Sequence, residues 1–219
     1  MLITSFGHSC VLVEVAGARI LFDPGNFSSG FEGLAGLDAI LVTHQHPDHA
    51  DVAKLPALVA ANPAAVLYAD PQTAAQLNAD GSMGQWAVQA PGGTFQVGTV
   101  TVRGTGGRHA VIHPELPVVD NTVYILDTPD RPGAFMHPGD SLYIPFEEID
   151  VLALPAAAPW MKLSEAVDYL RGAAPRRAFP IHQAVVSDAG LGIHNARLAE
   201  MKPACTEFVV IEPGASREF

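Results

Sequence analysis

The spacing of apolar residues changes several times along the chain, and each change marks an element. Leu2–Phe6 and Cys10–Val15 are short runs rich in Val, Leu and Ile that read as strands; Gly17 turns the chain and Arg19–Phe22 returns it. Asp23-Pro24-Gly25 stops that strand with turn-forming residues. Asn26–Gly36, with three glycines around Phe27 and Phe31, reads as a mobile loop carrying aromatics. Asp38–Thr43 has the composition of a buried strand and runs directly into His44. The period then becomes helical, with Val52, Leu55, Leu58 and Val59 on one face and Pro63 closing the segment.

Val66–Tyr68 predicts another strand and Pro71–Asn78 a helix. A β-rich middle follows, at Trp86–Gln89, Thr94–Val97, Thr99–Arg103, Thr122–Leu126 and Ala134–Met136. The last third reads as strand Val151–Leu154, helix Ser164–Gly172 with Ser164 as N-cap, strand Ala178–Ile181, helix Ile193–Met201 and a final strand Phe208–Ile211. Strand clusters followed by helices predict a layered α/β protein in two halves. The 219 residues fit one domain, 1–219, since one core can serve a chain of this size.

Twelve Lys+Arg against 23 Asp+Glu give a net charge of −11, a surface that repels phosphate backbones and predicts no nucleic-acid partner. No targeting segment is recognisable at the N-terminus, and Val11–Phe22 is interrupted by Glu14 and Arg19, so a soluble, cytoplasmic protein without a membrane partner is expected. Cys10 and Cys205 are too few for a disulfide framework or a thiolate zinc site. Nine histidines stand out against that background, and any metal chemistry must pair them with carboxylates.

Thr43-His44-Gln45-His46-Pro47-Asp48-His49 concentrates three histidines and an aspartate where a strand ends and a helix is about to begin. Residues two apart on an extended chain project to one side, so His44 and His46 can grip one ion. Pro47 turns the chain, leaving Asp48 and His49 to face a second ion. Imidazole and carboxylate donors suit zinc, and also manganese or iron. Further ligands must come from downstream, where His109, His137-Pro138-Gly139-Asp140 and His182 each follow a β-type run or sit in a glycine turn. Strand ends of α/β proteins converge on one edge, where such proteins place their sites.

The ordered series His44-x-His46-x-Asp48-His49, His109, Asp140, His182 resembles the metallo-β-lactamase-fold hydrolases over nearly the whole chain. Gly7-His8-Ser9 and Ile20-Leu21-Phe22-Asp23-Pro24 look most like the small single-domain branch that includes the ascorbate-phosphate lactonase-like proteins. The resemblance implies a four-layer αββα sandwich with two divalent metal ions, zinc first among them, at one edge between the sheets. It implies that His44, His46 and His109 hold one metal, that Asp48, His49 and His182 hold the other, and that Asp140 bridges them. Asp140 stands where many true β-lactamases carry cysteine, and His46 stands where the di-iron redox branch carries glutamate.

The activity implied is hydrolysis of a small ester, lactone or phosphoester by a hydroxide held between the metals. Asp140 would fix the metal spacing and Asp48 would orient or receive a proton. A nuclease or phosphodiesterase of the same fold and a non-catalytic metal-binding protein are the alternatives. Two divalent ions would also leave room for a small anionic substrate. Asp23 reads either as a turn former or as acceptor of a ligand histidine's free N–H, and His8 either as a substrate residue at the site edge or as a packing histidine. Arg108 is a candidate anion anchor. His113, Asn121, His137 and His194 read as surface residues, with His113 nearest to a substrate role. Phe27, Phe31, Trp86, Trp160 and Met161 are candidate walls of an apolar pocket, with core packing the favoured reading for Trp86.

Overall fold

Strands that read as unbroken apolar runs do so because both of their faces are covered. The structure is a computed structural model that describes residues 1–219, in full except for Asp80. One sheet runs in the order β14-β1-β2-β3-β4-β5-β6. Its strands are β1 (Leu2–Ser5), β2 (Val11–Val15), β3 (Ala18–Phe22), β4 (Ala39–Val42), β5 (Val66–Ala69), β6 (Ala87–Val88) and β14 (Ser216–Glu218). The other, β13-β12-β11-β10-β9-β8-β7, contains β7 (Thr94–Val97), β8 (Val100–Gly106), β9 (Thr122–Thr128), β10 (Arg131–His137), β11 (Val151–Pro155), β12 (Arg177–Ile181) and β13 (Glu207–Phe208). Helices α1 (Leu55–Ala61) and α2 (Pro71–Asp80) belong to the first half, and α3 (Leu163–Ala173) and α4 (Asp188–Met201) to the second.

Side-chain alternation sorts the apolar residues into three cores, one per interlayer space. Val11, Val13, Ile20, Phe22 and Leu41 meet Tyr124, Leu126, Val151, Ala153 and Phe179 between the sheets. Their alternate neighbours Leu12, Leu21, Ile40 and Val42 pack instead with Leu55 and Leu58 of α1 and Ala74 and Leu77 of α2. On the far side, Val123, Ile125, Leu152 and Leu154 pack with Ala166 and Leu170 of α3 and Leu198 of α4. The four layers are therefore helices, sheet, sheet and helices. No helix among the described residues is long and apolar enough to cross a membrane.

Several local expectations are corrected. α3 starts at Leu163, with Lys162 as N-cap, because the Glu165 carboxylate accepts the Lys162 N–H at 2.6 Å; Ser164 lies inside the helix. α4 starts five residues before Ile193, at Asp188, capped by the Ser187 hydroxyl. The Phe208–Ile211 strand shrinks to Glu207–Phe208, and the chain then crosses to the first sheet as β14, paired with β1. The Asn26–Gly36 loop is anchored: Phe31 is fully buried against Phe6, and Lys54 holds both Glu32 (2.9 Å) and the Ser28 carbonyl (3.1 Å).

β1, β3 and β4 point the same way in the first sheet, as do β8, β10, β11 and β12 in the second. At the site edge the sheets are stitched together, with Thr122 N–H on the Thr43 carbonyl (2.9 Å), the Tyr124 hydroxyl on the Val42 carbonyl (3.1 Å) and His182 N–H on the His8 carbonyl (3.0 Å).

Candidate metal centre

Each residue of the predicted series leaves the C-terminal end of a strand at that stitched edge. His44, His46, Asp48 and His49 follow β4; His109 follows β8, Asp140 follows β10 and His182 follows β12. Gly25 fixes the path of the first segment. The Asn26 N–H donates to the Pro47 carbonyl (2.8 Å) and Asp51 N–H to the Pro24 carbonyl (3.0 Å), which presses the two backbones together. A Cβ on Gly25 would lie 1.8 Å from the Asp48 carbonyl oxygen, so only glycine fits.

The donors form two groups, each with ligand atoms within 4.8 Å of one another: His44, His46, His109 and Asp140, and His8, Asp48, His49 and His182. Asp140 lies between them. Its Oδ2 faces His109 Nε2 at 3.2 Å and His182 Nε2 at 3.1 Å, and its Oδ1 faces His49 Nε2 at 3.1 Å. Asp48 Oδ2 faces His182 Nε2 at 3.4 Å and His49 Nε2 at 3.7 Å.

The outer ring nitrogens fix the tautomers. His109 Nδ1–H donates to the Ala110 carbonyl (2.5 Å) and His182 Nδ1–H to the Ala157 carbonyl (2.7 Å). His49 Nδ1–H donates to Asp23 Oδ2 (2.6 Å), which also accepts the Thr43 hydroxyl (2.7 Å). That hydroxyl, its proton committed to Asp23, accepts His44 Nδ1–H at 3.0 Å. Four Nε2 lone pairs therefore point inward. Nε2 of His49, His109 and His182 and Oδ1 of Asp140 are buried without a hydrogen-bond partner, and His44 Nε2 stands 3.0 Å from His46 Nδ1. Converging acceptors of this kind fit divalent cations, and nothing in the donor set is a thiolate.

His8 plays a different part from the other histidines. Its Nδ1 accepts the Ala184 N–H (3.4 Å), so Nε2 carries the proton and donates to Asp48 Oδ2 at 3.0 Å. It orients a carboxylate. Asp23 resolves in the same direction: fully buried, with Oδ1 on the Thr43 N–H (2.7 Å), it orients His49.

Residues 2–182 match the family described as β-lactamase superfamily domain. The chain belongs to the β-lactamase superfamily. It is 56% identical over 211 residues to the Mycobacterium tuberculosis protein Rv0786c, covering 96% of each chain. It is 31% identical over 152 residues to a UPF0173 metal-dependent hydrolase of Xanthobacter autotrophicus, covering 64% of this chain and 62% of that one. In fold it is similar to Igni18, a metallo hydrolase of Ignicoccus hospitalis, with a TM-score of 0.75 at 21% identity, covering 100% of this chain and 98% of that one.

Charges within this β-lactamase-superfamily site are strongly polarised. Burial alone would raise both carboxyls. The charge on His49 and the close approach of the His109, His182 and His49 rings instead hold Asp140 well below its usual range, and the His182 ring and the His8 N–H do the same for Asp48. Burial opposes protonation of His49 and His182, yet Asp140 and Asp23 raise His49 well above its usual value, and the adjacent Asp140 and Asp48 carboxylates raise His182 to about 9. Burial dominates at His8, lowered to about 4, and at His44, whose neighbour His49 lowers it further. Cations would replace the protons that His49 and His182 otherwise bind.

The remaining candidates divide. Arg108 and His113 are exposed and lie outside both donor groups. Phe31 and Trp86 are core residues rather than pocket walls, and Met161 packs partly buried on the third core. Asn121 and His137, read as surface residues, are fully buried. His137 stacks on Phe22 and donates from Nε2 to the Ser9 carbonyl (2.9 Å), joining the sheets. Asn121 accepts the Asp140 N–H (3.0 Å) and donates to the Pro138 carbonyl (2.9 Å), which fixes the turn that presents Asp140. His194 is half-buried and donates to the Ala156 carbonyl.

Proposed function

We propose that this chain is a hydrolase that works through two divalent metal ions on a small ester, lactone or phosphoester. The supporting observation is the convergence of four inward-facing Nε2 lone pairs and two ionised carboxylates from both sheets, with every outer ring nitrogen of those four histidines already engaged. His44, His46 and His109 would hold one ion and Asp48, His49 and His182 the other, with Asp140 facing both. Imidazole and carboxylate donors favour zinc, with manganese or iron as alternatives. Description of a relative as a metal-dependent hydrolase supports the same reading.

Bound cations supply Lewis acidity and a nucleophile at neutral pH. The protein's own groups do the rest. Hydrolysis adds one water across the acyl–oxygen or phosphorus–oxygen bond: its oxygen joins carbon or phosphorus and one of its protons ends on the leaving oxygen. Asp48 is placed to move that proton, because its carboxylate is partly open (19% exposed) whereas that of Asp140 is closed. His8 keeps Asp48 aimed and, being neutral, does not supply a competing charge. The acidic surface disfavours long polyanions, so a small molecule is the proposed partner.

The test is elemental analysis of the purified protein, then removal of metal with a strong chelator and its restoration with zinc or manganese. Hydrolysis of ester, lactone and phosphodiester probes should vanish and return. Activity that survives chelation overturns the reading.

A further inference from the structure

We propose that Val111, Ile112 and Leu116, in the segment that follows His109, form an apolar subsite together with Phe27, so that the hydrolysed group carries an apolar substituent. The inference rests on the hydrolase reading above and narrows its substrate class.

The segment that follows His109 is tied at its base. His109 N–H donates to the Val119 carbonyl (3.1 Å), Gly107 N–H to the Asn121 carbonyl (3.0 Å) and Ala110 N–H to the Asp140 carbonyl (2.8 Å). Beyond those ties, Val111, Ile112 and Leu116 are 58%, 45% and 52% exposed. The bonds of the intervening turn are internal, with Glu115 N–H on His113 Nδ1 and Leu116 N–H on the His113 carbonyl. Val111 is two residues from a candidate ligand, at most about 7 Å along the backbone.

Phe27 is 53% exposed and its ring stands edge-on to His8, 5.2 Å between centroids. Its exposure is imposed by its neighbours: Asn26 N–H is tied to the Pro47 carbonyl and the Ser28 hydroxyl to the Gly7 carbonyl, both at 2.8 Å. Trp160, half-buried, adds an indole 5.8 Å from the His109 ring and 6.5 Å from that of His182.

Scattered exposed apolar side chains need no explanation. Here the Phe27 and Trp160 rings stand against site histidines, and exposed Val111 follows His109 by two residues. Sites of this kind combine apolar walls with a few convergent polar groups. The rim segment 106–119 contains one cation, Arg108, and one anion, Glu115, so it selects by apolar contact rather than by charge.

Two measurements on the full-length chain test this. With zinc loaded, kcat/KM for p-nitrophenyl esters should rise at least tenfold from acetate to hexanoate, since each buried methylene can contribute about fourfold. The double variant Val111→Ser/Ile112→Ser should flatten that rise. Independently of turnover, the neutral probe N-phenyl-1-naphthylamine should bind the wild-type chain with a fluorescence gain, be displaced by octanoate, and bind at least fivefold more weakly to the double variant and to Phe27→Ser. Ester hydrolysis with no dependence on chain length, or probe binding that the substitutions leave untouched, overturns the subsite. No turnover of ester, lactone or phosphodiester probes by the zinc-loaded chain, together with substitution-sensitive probe binding, supports the subsite and overturns the hydrolase reading instead.

Discussion

The indole N–H of Trp160 donates a 2.9 Å hydrogen bond to Oδ2 of Asp140, the carboxylate oxygen that also faces His109 and His182. A group from the β11–α3 connection thus orients the carboxylate that stands between the two donor groups. Trp160→Phe keeps a ring and removes the donor. A hydrogen bond to an ionised acceptor contributes about 1.5–3 kcal/mol, and the half-buried position argues for the lower end. The expected result is a loss of about tenfold in kcat with a native melting curve, read by steady-state kinetics beside thermal unfolding. A change confined to KM would show that the ring matters only for substrate contact.

Asp23→Asn should uncouple His49. Oδ2 accepts both the Thr43 hydroxyl and His49 Nδ1–H, whereas an amide must turn a donor toward one donor or another. Loss of such an orienting partner typically weakens metal affinity 10–100-fold. Competition against a chromogenic chelator measures it, and unchanged affinity would show that His49 holds its tautomer without Asp23.

Gly25→Ala places a methyl 1.8 Å from the Asp48 carbonyl oxygen and 2.5 Å from the His49 nitrogen, both backbone atoms that cannot swing aside. Forced overpacking costs about 1–3 kcal/mol, and a backbone clash belongs at the top of that range or above. For a chain of this length that is roughly 6–12 °C in melting temperature. Reduced metal content should accompany it, because Asp48 and His49 sit on the displaced segment.

Asp70→Asn isolates a pH effect away from the metal centre. Asp70 caps α2, with Oδ1 accepting the Gln72 and Thr73 N–H groups, while Oδ2 is buried without a partner. Burial raises its carboxyl to about 6 from 3.8, only partly opposed by those hydrogen bonds. A raised carboxyl favours the fold below the unfolded pKa, and that contribution is lost as pH climbs through the folded value. Asparagine keeps the capping oxygen and has no charge to bury. The variant should therefore gain about 2 kcal/mol on wild type at pH 8, and the gain should vanish near pH 4. Parallel unfolding curves at the two pH values decide it; an equal difference at both contradicts the assignment.

The donor series was readable because its spacing is local: His44, His46, Asp48 and His49 fall within six consecutive positions, and His109, Asp140 and His182 each follow a recognisable strand. What orients them was far less so. Trp160 reaches Asp140 only because the β11–α3 connection folds over the end of β10, a tertiary approach with no periodic trace. Asn121 and His137 lie in or beside connecting segments and so resembled surface residues, yet those segments run where the two sheets meet. β14 escaped notice for another reason. Ser216-Arg217-Glu218 is polar and exposed throughout, and it pairs because β1 offers an otherwise free edge.

Each donor group takes residues from both sheets: His44 and His46 with His109 and Asp140, and Asp48 and His49 with His182. A cation in either group is then a clasp across the seam between the halves, closing chain loops of dozens of residues much as a cross-link does. Its binding free energy adds to the cohesion of that seam. Stripping the metal should let the sandwich part from this edge while the three apolar cores still hold, so amide exchange should quicken first at the His182 N–H, bonded across the seam to the His8 carbonyl. The same ions that perform the chemistry thereby act as fasteners, and a chain starved of metal loses mechanical closure along with turnover.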